Sequence, residues 1–135
     1  MRQITAQIGK NLYETVLTNG THQAVGDEPI PYGKDLGPTP YDFLLYALGS
    51  CICMTVRMYA DRKKWDMEEL KVTLTQDRVY HEDCSECEST TGYIHVIHKK
   101  IIIEGNLDEG QIARLVEIAN KCPVHKTLTH EILIK

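Results

Sequence analysis

The feature that most constrains the fold is a long apolar stretch that begins at Thr39 and runs to about Arg62. Thr39 can cap a helix, Pro40 suits the first helical position, and the charge of Asp42 is favourable near a helix N-terminus. Beyond this turn the stretch is apolar nearly all round. The face predicted from helical spacing consists of Leu44, Leu48, Cys51, Thr55 and Met58. A helix of this composition is expected to be buried on several sides, so other elements must cover it.

The segment before this helix predicts strands followed by a loop. Residues 3–8, 12–17 and 22–25 have strand-like patterns, and Asn19-Gly20 is a strong signal for a hairpin turn. A three-stranded meander is the simplest arrangement. Residues 26–40 are rich in glycine and proline, which excludes regular structure and predicts a long loop, and loops of this length are often functional.

The segment after the helix predicts two longer strands and a second helix. Residues 70–75 alternate apolar and polar side chains, and residues 93–104 are rich in β-branched side chains, so these two strands are expected to pair antiparallel. A second helix is predicted to open at Asn106, with Glu109 three residues further on.

The C-terminal part predicts a break, a short helical turn and a final strand. Pro123 interrupts the second helix, a short turn follows through Leu128, and Ile132 to Ile134 form the expected last strand. The chain is therefore predicted to be an α+β protein with a single domain over residues 1–135.

The composition and charge of the chain argue against several classes of function. The chain has 135 residues, a net charge of -4 and no basic block, so no nucleic-acid or anionic-membrane partner is expected. Residues 1–7 lack the layout of a signal peptide, and no apolar run is expected to reach the length of a membrane span. A cytoplasmic protein is therefore expected, with its five cysteines mostly reduced.

Cys51 and Cys122 are the cysteines that carry the strongest functional hypothesis. If folding brings them together, they form a thiol pair that can reduce peroxides or exchange disulfides. Cys53 lies about 200 degrees from Cys51 around the helix axis, so only one of these two can face a site. Cys51 lies beyond the reach of the helix N-terminal dipole and needs a nearby cation for activation; otherwise it is a buried core cysteine.

Cys122 is expected to be the easier thiol to activate. It precedes Pro123 and can cap a new helical turn whose amide groups favour a thiolate, and His125 could add a positive charge. The alternative is a small buried side chain at the end of a helix.

A second cluster contains Cys84, Cys87 and His81. The two-residue gap between the cysteines suits a dithiol or half of a zinc site, with His81 as a possible third ligand. No second ligand pair completes a zinc pattern, and the surrounding acidic residues oppose thiolate formation. An ordinary loop, a metal site and a dithiol all remain open from the sequence.

Two motifs together resemble the OsmC/Ohr family. The segments 37–51, ending in Ala-Leu-Gly-Ser-Cys, and 119–128, which contains Cys-Pro-Val-His, match the family in order and spacing. The resemblance implies an α+β fold with a long central helix packed on a curved antiparallel sheet. It also implies an intertwined homodimer with active sites at the subunit interface.

The resemblance further implies roles for the cysteines. Cys51 would attack an organic hydroperoxide, Cys122 would resolve the resulting sulfenic acid as a disulfide, and a dithiol would reduce that disulfide. No metal or organic cofactor is implied. In peroxidase members a glutamate directly after the helix-opening proline orients an arginine that contacts the thiolate.

This chain departs from the peroxidase pattern around its reactive thiol. Tyr41 follows Pro40, Asp42 comes one position later as the candidate acidic residue of the site, and Arg2 is the sole arginine before the helix. The candidates for the activating cation are Arg57, Lys34, Lys126 and His125.

Two competing functions remain open. One is a thiol-disulfide exchange protein in which Cys84 and Cys87 pass electrons inward. The other is a non-catalytic module that binds a small apolar ligand or a metal ion, with Cys84, Cys87 and His81 as metal ligands.

Overall fold

The structure, a computed structural model, describes all 135 residues and contains two compact units, Met1–Ala47 and Leu48–Lys135. The boundary between the units falls inside the long helix α1 (Pro40–Lys63). Helices and antiparallel sheets occur together, so the predicted α+β class is confirmed. The single domain over residues 1–135 stays a prediction.

The first unit contains the predicted three-stranded meander. Its strands are β1 (Thr5–Ile8), β2 (Thr15–Thr18) and β3 (Gln23–Gly26), and β2 pairs antiparallel with both neighbours. The hairpin turn lies at Asn19-Gly20 as predicted. The Asn19 side chain accepts hydrogen bonds from the backbone amides of Thr21 and His22, and Gly20 has a φ of +91°, which glycine adopts readily.

The loop after β3 is organised around a buried carboxylate. Asp27 accepts hydrogen bonds from the backbone amides of Glu28 at 2.8 Å, Lys34 at 3.3 Å and Leu36 at 3.2 Å. Burial by itself raises the pKa of Asp27, but these amides and the charge of Lys34 outweigh it, so the pKa is lowered. The predicted long loop is therefore present, and its shape is fixed by one side chain.

Helix α1 begins where the sequence predicted, but it buries a different face. Thr39 and Asp42 form reciprocal capping bonds, since the Asp42 carboxylate accepts from Thr39 N at 2.9 Å and Asp42 N donates to Thr39 Oγ1 at 3.3 Å. The buried row within the second unit consists of Leu48, Ile52, Val56 and Ala60. These residues follow steps of four, whereas Met58 of the predicted face is 68% exposed. The predicted face and burial on several sides were therefore wrong for the single chain.

The second unit packs this row of α1 on a two-stranded sheet. The strands are β4 (Asp66–Tyr80) and β5 (Tyr93–Asn106), which pair antiparallel along their length as predicted. The sheet side chains that pack against the buried core are Leu70, Val72, Leu74, Ile97, Ile101 and Ile103. Their spacing of two places them on one face of the sheet.

Two short helices complete the core of the second unit. They are α2 (Glu109–Ala119), which contributes Leu115, Ile118 and Ala119 to the core, and α3 (Pro123–Leu128). The predicted opening of α2 at Asn106 was wrong, because Asn106 is the last residue of β5. Asp108 is the N-cap instead, and it forms a capping box with Gln111.

The predicted last strand at Ile132–Ile134 is not formed. Residues 131–135 have no regular structure, and Ile132, Leu133 and Ile134 are exposed. A strand needs a hydrogen-bonding neighbour, and the two sheets of the chain, β1-β2-β3 and β4-β5, do not include this segment.

Helix α1 also meets the criterion of length and composition for a membrane span. An 18-residue window of the helix has a mean hydropathy of 1.5, so the expectation that no apolar run reaches this length was wrong. The core helix of a soluble protein meets the same criterion, and one row of α1 is buried in the core of the second unit. The length and hydropathy of α1 are therefore weak evidence that this helix spans a membrane.

Candidate functional site

Cys122 lies in the core of the second unit at the start of α3. It is the N-cap residue, as the Cys-Pro sequence predicted, and its Sγ accepts a hydrogen bond from the backbone amide of His125 at 3.2 Å. The residue is fully buried, with 0% of its surface exposed. The side chain is therefore held in one position by the helix that Pro123 begins.

Cys51 projects from α1 to the same place. It is half-buried and packs against the core cluster that includes Cys122, and its thiol interacts with the Cys122 thiol. Cys53 is also a free, half-buried thiol, but it faces another side of the helix. The fold thus brings together the two cysteines singled out by the sequence, although 71 positions separate them.

Burial dominates the electrostatic surroundings of the Cys122 thiol. Burial, with the adjacent Cys51 thiol, raises the pKa of Cys122, although the amides of His125 and Val124 act in the opposite direction. The expectation that Cys122 is the easier thiol to activate was therefore wrong. The capping amides are present, but desolvation outweighs them.

A histidine lies at the buried sulfur, and a lysine lies near that histidine. Burial and the positive charge of Lys99 lower the pKa of His125, so its ring is neutral at pH 7. The Nζ of Lys99 donates a hydrogen bond to the Oδ1 of Asn120, two residues before Cys122. Lys99 therefore supplies the positive charge that acts on this histidine.

The candidate cations of the second unit make no described side-chain hydrogen bond or ion pair to the thiol pair. Arg57 forms an ion pair with Asp61 at 3.2 Å and donates to the Glu68 carbonyl at 3.3 Å. His125 is uncharged at pH 7 for the reasons given above, and Lys126 is exposed. Lys34 belongs to the first unit, where its amide bonds to Asp27.

Known proteins resemble this chain in sequence and in fold. The family model described as OsmC-like protein matches residues 33–135, which is more than half of the chain. The chain belongs to the OsmC-like family. No curated protein matches it.

Solved structures of other OsmC-like proteins share the fold of this family member. The OsmC-like protein from Mycoplasma pneumoniae is 22% identical with a TM-score of 0.74, over 95% of this chain and 86% of that chain. An organic hydroperoxide resistance protein OsmC from Legionella pneumophila, also described as a predicted redox protein, is 17% identical with a TM-score of 0.67, over 96% and 89%. The organic hydroperoxide resistance protein OhrB of Bacillus subtilis is 14% identical with a TM-score of 0.65, over 100% and 95%. At these identities the likeness shows the fold alone.

Asp42 of this OsmC-like chain has a structural role at the start of α1. Its carboxylate accepts hydrogen bonds from the amide and the hydroxyl of Thr39, at 2.9 and 3.0 Å. These bonds cap the helix. A catalytic role for Asp42 stays a prediction.

Cys84 and Cys87 form a disulfide in the loop between β4 and β5. In this state neither sulfur is a thiolate that could bind zinc. His81 lies in a short 3₁₀ turn, where its Nδ1 is 3.2 Å from the Gly92 carbonyl oxygen. No group of three or more His, Cys, Asp or Glu residues in the chain has an arrangement that could hold a metal ion. The proposed metal ligands therefore do not form a site in this structure.

The first unit of the OsmC-like chain contains a separate apolar cavity of about 400 Å³. Its walls come from all three strands and the start of α1, and they include Ile8, Tyr13, Leu17 and Phe43. An apolar group of small size would fit these walls.

Sequence reasoning missed Lys99 and Asn120. The available signal was the strand period, because Lys99 shares its face of β5 with Ile97 and Ile101, which pack on the core. A lysine inside an apolar row is unusual, whereas Asn120 has no comparable signature before the C-terminus of α2 is known.

Proposed function

We propose that this chain reduces organic or small hydroperoxides, with Cys51 as the attacking thiol and Cys122 as the resolving thiol. The observation that carries the proposal is the contact between the Cys51 thiol and the buried Cys122 sulfur. Two neighbouring thiols need little movement to become a disulfide. The names of the Legionella and Bacillus relatives as organic hydroperoxide resistance proteins are in keeping with it.

The chemistry has three balanced steps. The Cys51 thiolate attacks the terminal oxygen of the hydroperoxide, so an S–O bond forms, the O–O bond breaks, and the alkoxide takes a proton and leaves as an alcohol. The Cys122 thiol then displaces the hydroxyl of the sulfenic acid, which leaves as water while the disulfide forms. A dithiol finally reduces this disulfide by exchange and is itself oxidised to a disulfide.

The order of attack follows from the burial of the two sulfurs. Cys51 is half-buried, so a small substrate can reach it, whereas Cys122 is fully buried. The raised pKa of Cys122 keeps this residue a neutral thiol at pH 7. A neutral neighbour does not repel the Cys51 thiolate, and it is already placed for the second step.

The working form is proposed to be a homodimer that needs no cofactor beyond an external dithiol. Apolar side chains of α1 remain uncovered in the single chain: Met54 is 70% exposed and Met58 is 68% exposed. An exposed apolar helix face of this kind is typical of an interface between chains.

Peroxide consumption and disulfide mapping test the proposal. Reduced protein, freed of excess dithiol, is treated with cumene hydroperoxide, and its disulfides are mapped by mass spectrometry. We expect a Cys51–Cys122 bond and, with dithiothreitol supplied, repeated turnover. Cys51→Ser should abolish consumption, and Cys122→Ser should leave a sulfenic acid at Cys51 that dimedone traps.

Cys53→Ser is the matched control, because Cys53 is a free and half-buried thiol on the same helix that faces away from Cys122. It should consume peroxide as the wild type does. Equal losses in the Cys51 and Cys53 variants, or peroxide left intact by the wild type, would exclude the proposal.

A second candidate function is thiol-disulfide exchange at Cys84 and Cys87, favoured by the disulfide between them. The same mapping separates the two functions. A redox change confined to Cys84 and Cys87, with Cys51 and Cys122 still reduced, would favour exchange. Unchanged peroxide turnover in a Cys84→Ser/Cys87→Ser variant would favour peroxide reduction at Cys51.

A further inference from the structure

Lys99 interrupts the apolar face of β5. Ile97 and Ile101, two positions before and after it, pack against the core, and Lys99 itself is half-buried. Its neighbour Lys100 points to the other face and is exposed. Partial burial of an ammonium group is unfavourable unless it has polar partners, so this position calls for an explanation.

The described partner of Lys99 is neutral. Its Nζ donates to the side-chain oxygen of Asn120, which caps the C-terminus of α2 two residues before Cys122. The ion pairs of the chain join Arg57 to Asp61 and Arg114 to Glu117, and neither includes Lys99. The charge of Lys99 is therefore fixed in place without being cancelled.

Two further observations describe the surroundings of this charge. Lys99 acts electrostatically on His125, whose backbone amide bonds to the sulfur of Cys122. Leu74, the cross-strand partner of Lys99, contacts α1 at Gly49, where an added Cβ would lie 3.4 Å from its Cδ1. Gly49 belongs to the same turn of α1 as Cys51 but faces another side of the helix, so the link between Lys99 and the thiol pair is through Cys122.

The ionisable groups around the pair come from three elements. They are Cys51 of α1, His125 of α3 and Lys99 of β5, and the β4 residue opposite Lys99 is the apolar Leu74. We propose that Lys99 is the cation that stabilises the thiolate form of the Cys51–Cys122 pair. This inference rests on the proposed function and supplies the charge that an apolar helix cannot.

Lys99 is a positioning residue in this proposal, because it acts on the sulfurs through its field and no contact with them is described. The test is the pH dependence of thiol alkylation. Reduced full-length protein reacts with iodoacetamide at a series of pH values, and the Cys51 adduct is counted by mass spectrometry. Only the thiolate reacts, so the midpoint of the profile reports the thiol pKa.

Lys99→Met keeps the length of the side chain and removes its charge. We expect the midpoint to move to higher pH and the alkylation rate at pH 7 to fall about tenfold, which corresponds to one pKa unit. Lys99→Arg should retain the wild-type profile. Lys100→Met is the matched control, since it removes a lysine from the exposed face of the same strand and should change nothing.

A second measurement keeps the test independent of small packing changes. The pKa of His125, followed by NMR, should rise in Lys99→Met because one of its two lowering causes is removed. Identical alkylation profiles for Lys99→Met and the wild type would overturn the inference. Alkylation needs no peroxide, so failure of peroxide turnover with an intact Lys99 effect would reject the proposed function alone.

Discussion

His125 couples the site to pH at the scale of a single residue. Its pKa is lowered from 6.5 in the fold by burial and by Lys99, so the unfolded chain binds more protons below neutral pH. The contribution of neutral His125 to the free energy of unfolding is complete above about pH 6.5, and it is lost as the pH falls through the pKa of His125 in the folded chain. The loss cannot be steeper than about 1.4 kcal/mol per pH unit for one group.

His125→Gln should therefore flatten the acid side of the stability profile. The backbone amide that bonds to Cys122 is kept, so the cap survives the substitution. Urea denaturation from pH 7.5 to pH 5 measures the effect. The same slope in the variant and the wild type would show that His125 does not carry this dependence.

At the same scale, Cys122 marks the limit of local prediction. Its capping role could be predicted, because Pro123 directly after it favours a helix start. Its raised pKa could not be predicted, since that depends on burial and on Cys51, 71 positions earlier in the chain. Lys99 interrupts an apolar row of the sequence, but its proposed role depends on Asn120, 21 positions later, at the end of α2.

At the scale of elements, the limits of helices and strands were more predictable than their faces. The start of α1 depends on Thr39, Pro40 and Asp42, which lie together in the sequence. The buried face of α1 depends on how the helix crosses β4 and β5, and the spacing of apolar residues cannot specify that crossing. The state of Cys84 and Cys87 was likewise open, because a short gap permits several chemistries.

The close packing of the loop around Asp27 can be tested at one glycine. Gly37 lies close to the backbone carbonyl of Val25, so a Cβ added at Gly37 would overlap this carbonyl. The backbone cannot move aside as a flexible side chain can. Gly37→Ala should lower the free energy of unfolding by about 1–3 kcal/mol. Gly9→Ala is the control, because nothing lies within 4 Å of its added Cβ, and it should change the value by less than about 0.5 kcal/mol. Urea denaturation compares the two, and equal effects would contradict the close approach.

At the scale of the whole molecule, the family and its α+β fold could be predicted from two short motifs, because both belong to the same family pattern. The association of chains was implied only by the family resemblance, and the motifs do not specify which surfaces meet. It depends on which surfaces stay uncovered once each chain has folded. The exposed Met54 and Met58 of α1 are part of that surface.

These exposed methionines predict a specific result for assembly. Each buried methionine contributes roughly 1.5–3 kcal/mol, and a symmetric interface would bury both residues twice. We expect sedimentation velocity to show a species of about twice the chain mass of 15.4 kDa at micromolar concentration.

Met54→Lys/Met58→Lys should shift this species towards the monomer, because burying two lysines is costly without partners. Thr73→Lys, on the exposed polar face of β4, is the control and should stay dimeric. A wild-type protein that sediments as a monomer would remove the dimer from the proposal and leave the thiol chemistry to a single chain.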